Sequence, residues 1–383
     1  MPIHLRQFVI GPEPKQVQPD WRSRQLPSGL FLSHCPTLPI ADTPFGTVLG
    51  DWIPMDDGGG PSSWAGRWLL LTATQLRLDT CGLLGCSYRD IDTTRWISSS
   101  PEILRALEPE LPMHDDRLER DWRVMDWYPP PASAIKGIAR LLPSQALSLP
   151  GGALVPVALP TGQAETDYET VLQRSQQRLV TAMRHTAALA AESGGRVWIG
   201  LTGGHDSRTL VAAALAAGIE AVTYTFIRPQ TSSGDREMPP LLAKAAGFEY
   251  VAIPLDGLDR DRTAEFDRHT AASYVGGAWL QHGTRAWEHT ESAAVVLEGG
   301  CFEVARCYYW PRLPTQMGET PEEATATILK RFPSQRPEGV RGWVDWVRGA
   351  GRQDELEWRD RFFLEQRCGG WLSAGLQGFD LSG

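Results

Sequence analysis

The segment Ile199-Gly200-Leu201-Thr202-Gly203-Gly204-His205-Asp206-Ser207-Arg208 constrains this chain more than any other. An apolar strand, Val197 to Leu201, empties into two glycines, and a helix begins within two residues at Asp206-Ser207. Glycines let backbone approach a ligand closely and aim consecutive N–H groups at it, while a helix start adds unpaired donors and partial positive charge. Such a bend suits a polyphosphate, and Asp206 offers the hard oxygen that Mg²⁺ prefers. The plainer reading is a Gly-Gly turn capped by Asp206. The loop is neither G-x-G-x-x-G nor G-x-x-x-x-G-K-[ST], so the dinucleotide fingerprint and the Walker lysine do not apply.

The residues around this loop alternate. A helix is expected to begin near Thr166, with Glu169 completing a capping box. After the Val197–Leu201 strand come a helix from about Asp206 to Ala217 closed by Gly218, a strand over Ala221–Phe226, a helix from about Glu237 to Ala246 closed by Gly247, and strands over Tyr250–Ile253 and Ala294–Leu297. Strands and helices in turn predict a parallel sheet covered by helices. Residues up to about Ala164 read differently. Short runs at Trp68–Thr72, Gln75–Asp79, Cys86–Tyr88 and Trp96–Ser100, with turn glycines at Gly82 and Gly85, predict antiparallel strands with few helices. One of those helices starts at Pro101, where Ser100 stands as the cap. The Pro- and Gly-rich stretch 149–162 leads toward a domain boundary, giving units 1–164 and 165–383.

With 383 residues, 42% hydrophobic and 22% charged, the chain has the composition of folded, soluble domains. Acidic residues outnumber basic ones by 46 to 37, a net charge of −9, the wrong sign for displacing counterions from nucleic-acid phosphates. No nucleic-acid partner is expected. No long apolar run suggests a membrane span, and the first residues lack the pattern of an export signal, so a cytoplasmic location is expected. The six cysteines (Cys35, Cys81, Cys86, Cys301, Cys307, Cys368) form no C-x-x-C pair. They read as reduced thiols, and the pairs Cys81/Cys86 and Cys301/Cys307 are wrongly spaced for a metal.

Thr202-Gly203-Gly204-His205-Asp206-Ser207 resembles the S-G-G-x-D-S pyrophosphate loop of the ATP pyrophosphatases. The wider neighbourhood resembles the asparagine synthetase superfamily, which includes β-lactam synthetases and lasso-peptide macrolactam cyclases. Gly66–Leu71, Ser98–Leu104 and Ile138–Ser144 look like that family's glutaminase-like N-terminal domain. Glu298-Gly299-Gly300-Cys301-Phe302-Glu303 and the residues up to Trp310 look like its second phosphate and metal motif. The resemblance implies an N-terminal glutaminase-like (Ntn-type) antiparallel αββα sandwich. It implies a C-terminal doubly wound parallel sheet of the adenine-nucleotide alpha-hydrolase type. It further implies ATP- and Mg²⁺-dependent, AMP-forming amide or lactam synthesis of the kind used in natural-product biosynthesis. Leu201, Thr202, Gly203, Gly204, Asp206, Ser207, Gly299 and Gly300 would hold the nucleotide. Asp206 and Glu303 would hold Mg²⁺, with Glu303 also the catalytic acidic position. Arg208 and Arg306 are further cations near the phosphates. Asp235 matches an acidic position of the family and equally suits a helix start by its charge.

Three features depart from the family pattern. Pro2 follows Met1 where glutamine-hydrolysing members carry a cysteine, so the first domain resembles the degenerate one of the lasso cyclases and β-lactam synthetases. The amine is then expected from a small-molecule or peptide substrate itself, and a homo-oligomer or a partner protein supplying the peptide stays open. Phe302 is bulky for a phosphate loop. No lysine follows Lys330, where the family uses one to stabilise the leaving pyrophosphate or the acyl transition state, so either an arginine or a partner chain takes its place or the activity is altered. Two other readings stay open: a non-catalytic or partner-dependent nucleotide-binding homologue, and an ammonia-dependent amidotransferase. Substrate contacts are expected from the region 271–289.

Overall fold

A computed structural model describes residues 6–55, 59–92, 94–114, 125, 127–160, 167–255, 295–310, 318–334, 337–351 and 353–382. The first segment builds two antiparallel six-stranded sheets. One contains β1 (Phe8–Gly11), β2 (Arg22–Gln25), β3 (Phe31–His34), β8 (Ser87–Ile91), β9 (Thr94–Ser98) and β10 (Ala139–Arg140), in the order β10-β8-β9-β1-β3-β2. The other contains β4 (Ile40–Thr43), β5 (Gly46–Pro54), β6 (Trp64–Leu71), β7 (Gln75–Leu78), β11 (Gln145–Ser148) and β12 (Leu154–Pro156), in the order β12-β11-β7-β6-β5-β4. Side chains alternate across a strand, and here both faces are apolar. Leu69 and Leu71 of β6 join Leu49, Leu76 and Leu147 and meet Phe8, Ile10, Leu32 and Ile97 of the first sheet. Trp68 and Leu70 turn the other way, onto Val48 and Trp64. On the outer face of the first sheet, α1 (Pro101–Leu107) lays Ile103 and Leu104 against Val9 and Trp96. It starts as the sequence indicates, with Ser100 Oγ accepting from the Glu102 amide at 3.2 Å.

The second segment builds a four-stranded parallel sheet from β13 (Val197–Gly200), β14 (Ala221–Ile227), β15 (Glu249–Pro254) and β16 (Val295–Leu297), ordered β15-β14-β13-β16. Residues of α2 (Tyr168–Glu192), α3 (His205–Ala217) and α4 (Ser233–Ala246) share one cluster with one face of the sheet, where Met183, Leu210, Ala214 and Ala243 surround Val197, Ile199 and Ala221. The opposite face presents Trp198, Val222, Tyr224 and Ile253. Gly218 and Gly247 close α3 and α4 with φ of 67° and 72°, the left-handed conformation glycine adopts without strain.

Two helix starts differ from the sequence reading. Asp167 caps α2, accepting from the Thr170 amide at 3.0 Å, while Thr166 lies outside the described residues. Helix α4 begins at Ser233 rather than Glu237, because Ser232 Oγ accepts from the Asp235 amide at 3.1 Å and so fixes an earlier first turn. The region 271–289 also lies outside the described residues.

Helices Pro321–Arg331, Pro337–Ala350 and Trp358–Phe362 follow, the last running through a π-helical segment, Phe363–Leu372, into helix Ser373–Ser382. These bind the two segments together. Trp127, Leu142 and Leu159 share a cluster with Tyr309, Ile328, Trp343, Phe362, Phe363 and Leu364. Inside this contact Glu365 is wholly buried, accepting from the Ser144 amide at 3.0 Å and from Trp343 Nε1 at 2.6 Å. Arg67 of β6 makes two bonds to the Asp380 carboxylate, at 3.1 and 2.8 Å. Among the described residues no helix is long and apolar enough to cross a membrane.

The Arg67–Asp380 pair yields a test. Both side chains are largely shielded from water, with 17% and 6% exposed. Breaking a buried pair leaves its partner's charge uncompensated, at about 3–5 kcal/mol. Asp380→Ala is expected to destabilise the protein by an amount at the lower end of that range, because Arg67 keeps some water. Urea unfolding read by tryptophan fluorescence checks it.

Candidate nucleotide site

In the parallel sheet the winding reverses beside β13, because β14 and β15 lie on one side and β16 on the other. Strands diverge in their connections at such a point, and open parallel sheets bind ligands in the crevice beyond the strand C-termini there. Both glycine loops emerge at this place. Leu201–Ser207 follows β13, and Glu298–Gly300 follows β16.

The first loop is held by its own side chains and by a neighbouring helix. Ser207 Oγ accepts from the Thr202 amide at 3.0 Å, and Thr202 Oγ1 accepts from the Gly204 amide at 3.1 Å. The Gly203 amide donates to Asp235 Oδ1 at 2.8 Å, while Asp235 Oδ2 accepts from Ser232 Oγ at 2.9 Å. Asp235 thus does more than favour its own helix start: it ties the first loop to α4. Gly204 is the N-cap of α3 and provides no side-chain cap. Leu201 is fully buried, its amide donating to the Tyr224 carbonyl at 2.7 Å. Arg208 bends back, donating to the Gly204 carbonyl at 3.1 Å and lying 3.0 Å from His205 Nδ1.

The second loop fits against the first through glycine. A Cβ on Gly299 would lie 3.0 Å from Asp206 Cβ and 3.2 Å from the Ser207 nitrogen, so a larger residue there would require the two loops to give by a few tenths of an ångström. Glu298 reaches beneath β13, where a Cβ on Gly200 would come within 2.8 Å of both its carboxylate oxygens. Tyr224 Oη, on β14, donates to Glu298 Oε1. Burial pushes the Glu298 carboxyl above its ordinary value, partly countered by the Tyr224 donor.

The structure therefore brings together Leu201, Thr202, Gly203, Gly204, Asp206 and Ser207 on one loop, with Gly299 against the last two. Gly300 points elsewhere: a Cβ there would lie 3.6 Å from the methyls of Leu372. Glu303 lies on a 3₁₀ segment, Gly300–Arg306, and pairs with Arg367 Nε at 3.1 Å. The Arg367 guanidinium sits 4.5 Å from the Tyr308 ring centroid and 4.7 Å from that of Trp371. Phe302, bulky for a phosphate loop, packs with the core of the parallel sheet.

Three contributors escaped the sequence reading: Tyr224, the Glu298 side chain and Arg367. Tyr224 carried a legible signal, since a tyrosine within a buried strand needs a partner for its hydroxyl. Arg367 carried none, because its aromatic neighbours come from elements distant in sequence. A scan against protein-family models gives no match, and a comparison with curated proteins finds no significant relative.

The Glu298–Tyr224 contact predicts a pH-dependent mutational effect. The hydroxyl favours the charged carboxylate, so its loss matters only where Glu298 is ionised. Tyr224→Phe is expected to cost about 1–3 kcal/mol at alkaline pH and distinctly less under acid conditions that protonate Glu298 in both proteins. The raised folded pKa also means that the stability Glu298 contributes is present at low pH and lost as pH rises through its titration. Denaturant unfolding of both proteins across pH checks the sign.

Proposed function

We propose that this protein is an ATP-dependent, AMP-forming amide or lactam synthetase acting through an acyl-adenylate on an amino-acid-derived or peptide substrate. The observation that carries the reading is the meeting of two glycine loops at the winding reversal of a parallel sheet, one of them opening a helix whose cap residue has no side chain. The finer fold assignment belongs to the same proposal: a degenerate glutaminase-like αββα sandwich followed by a doubly wound nucleotide-binding domain.

The residues fit a phosphate chain and a hard cation. The loop Thr202–Ser207 leads into the start of α3, where the dipole favours an anion. The Gly203 amide, now bonded to Asp235, is a donor that a phosphate oxygen would compete for. Asp206 supplies a carboxylate at the junction of the loops. Magnesium bound there would neutralise charge on the departing pyrophosphate. Glu303 is the second acidic group of the reading, and Arg367 holds it through an ion pair. Arg367 is also the arginine that could stand where the resembled family uses lysine: a fixed positive charge on the π-helical segment, paired with Glu303 of the 3₁₀ segment that continues the second loop. The activated acyl group is attacked by the substrate's own amine, and the site's work is to orient the carboxylate and exclude water.

The test is product identity. ATP consumed with amino-acid or peptide substrates is expected to yield AMP and pyrophosphate, and Asp206→Asn is expected to lower kcat/KM by about 10²-fold or more. ADP as product would refute the assignment. Nucleotide binding by calorimetry without pyrophosphate release across a broad substrate panel would favour a non-catalytic homologue. Turnover restored by ammonium but not by glutamine would favour the amidotransferase reading.

A further inference from the structure

Three cysteines that lie far apart in sequence meet behind the second loop. The sulfurs of Cys81, Cys301 and Cys368 all lie within 4.8 Å of one another. Each comes from a different element. Cys81 is presented by a turn folded around the Asp79 carboxylate, which accepts from the amides of Cys81 at 2.9 Å and Leu83 at 2.9 Å. Cys301 is the second residue of the 3₁₀ segment Gly300–Arg306, and Cys368 lies on the π-helical segment. Gly369 makes the meeting geometrically feasible, since a Cβ there would lie 3.1 Å from the Cys81 carbonyl oxygen.

We propose that Cys81, Cys301 and Cys368 form a three-thiolate site for a single soft cation of the zinc type, one that fastens the second glycine loop to the N-terminal sandwich. A zinc–sulfur distance of about 2.3 Å in tetrahedral geometry sets sulfurs about 3.8 Å apart, so the three close by at most about 1 Å on binding. Thiolate donors select thiophilic ions over magnesium or calcium. Three thiolates leave the fourth tetrahedral position to a ligand from outside the cluster. Binding is not a redox step: three S–H bonds release three protons, three S–metal bonds form, and the site carries one net negative charge beside the Arg367 guanidinium. The site stands apart from the nucleotide reading and survives its failure.

The experiment uses the full chain, stripped of metal with chelator under reductant and titrated anaerobically with Co²⁺. One equivalent is expected to produce the thiolate-to-cobalt charge-transfer band and the ligand-field bands of tetrahedral cobalt, both bleached by Zn²⁺. Cys301→Ser and Cys368→Ser are expected to weaken binding at least tenfold, while Cys35→Ser, in the outer-face cluster of the first sheet, leaves it unchanged. Alkylation mapping of the unmutated protein is independent of how any variant folds. Zinc is expected to protect Cys81, Cys301 and Cys368 but not exposed Cys307. Absence of the charge-transfer band in folded protein, undiminished binding by Cys301→Ser, uniform alkylation, or a disulfide between two of the three cysteines would each overturn the proposal.

Discussion

The contact between Gly299 and the first turn of α3 governs the arrangement of everything around it. Parallel pairing of β13 with β16, in which Val197 faces Val295 and Ile199 faces Leu297, delivers two chain reversals to the same edge of the sheet. They lie against each other where one side chain is missing, and Gly299 supplies the gap above Asp206 and Ser207. Gly200 supplies a second gap, below, into which Glu298 extends toward Tyr224. A side chain at either position would push the strands apart or expel the carboxylate, and the crevice would lose its shape before losing any functional group.

The helical end of the chain acts as a shared wall between the two segments. Its polar interior is unusual for a contact surface: Glu365 and Arg361 are both almost completely buried, and Arg361 pairs with Asp354. Such groups are costly to bury unless each finds partners, and the Ser144 amide and Trp343 indole provide them for Glu365. The wall also carries Arg367 and Cys368, so the position of the second loop is set from outside the parallel sheet.

Local signals were legible where the chemistry is local. The Gly-Gly bend, the left-handed glycines at Gly218 and Gly247, and the Ser100–Pro101 helix start each follow from neighbouring residues, and the structure places them as read. Helix α4 starts four residues before the position its sequence suggests because Ser232 competes with later positions as a cap, and propensity alone does not rank them. The start of α2 is set by Asp167, a capping residue adjacent to the Thr166 that the sequence reading names. The grouping of Cys81, Cys301 and Cys368 was illegible in principle, since spacing rules detect ligands on one hairpin or helix and these lie on three separate elements. The same holds for Arg367 above Tyr308 and Trp371. The coarse two-part fold, by contrast, follows from short strand-like runs separated by turn glycines in the first segment and from strands and helices in turn in the second.

Pro239 and Pro240 lie inside α4. Neither has an amide hydrogen, so the carbonyls of Asp235 and Arg236 go without the rungs that a continuous helix would give them. The opening turn, Ser233 to Met238, is therefore joined to the remainder of the helix by fewer rungs than a continuous helix would give it. That turn bears the carboxylate now latched to the Gly203 amide. The junction between that turn and the rest of α4 is thus the point at which the helix resists bending least.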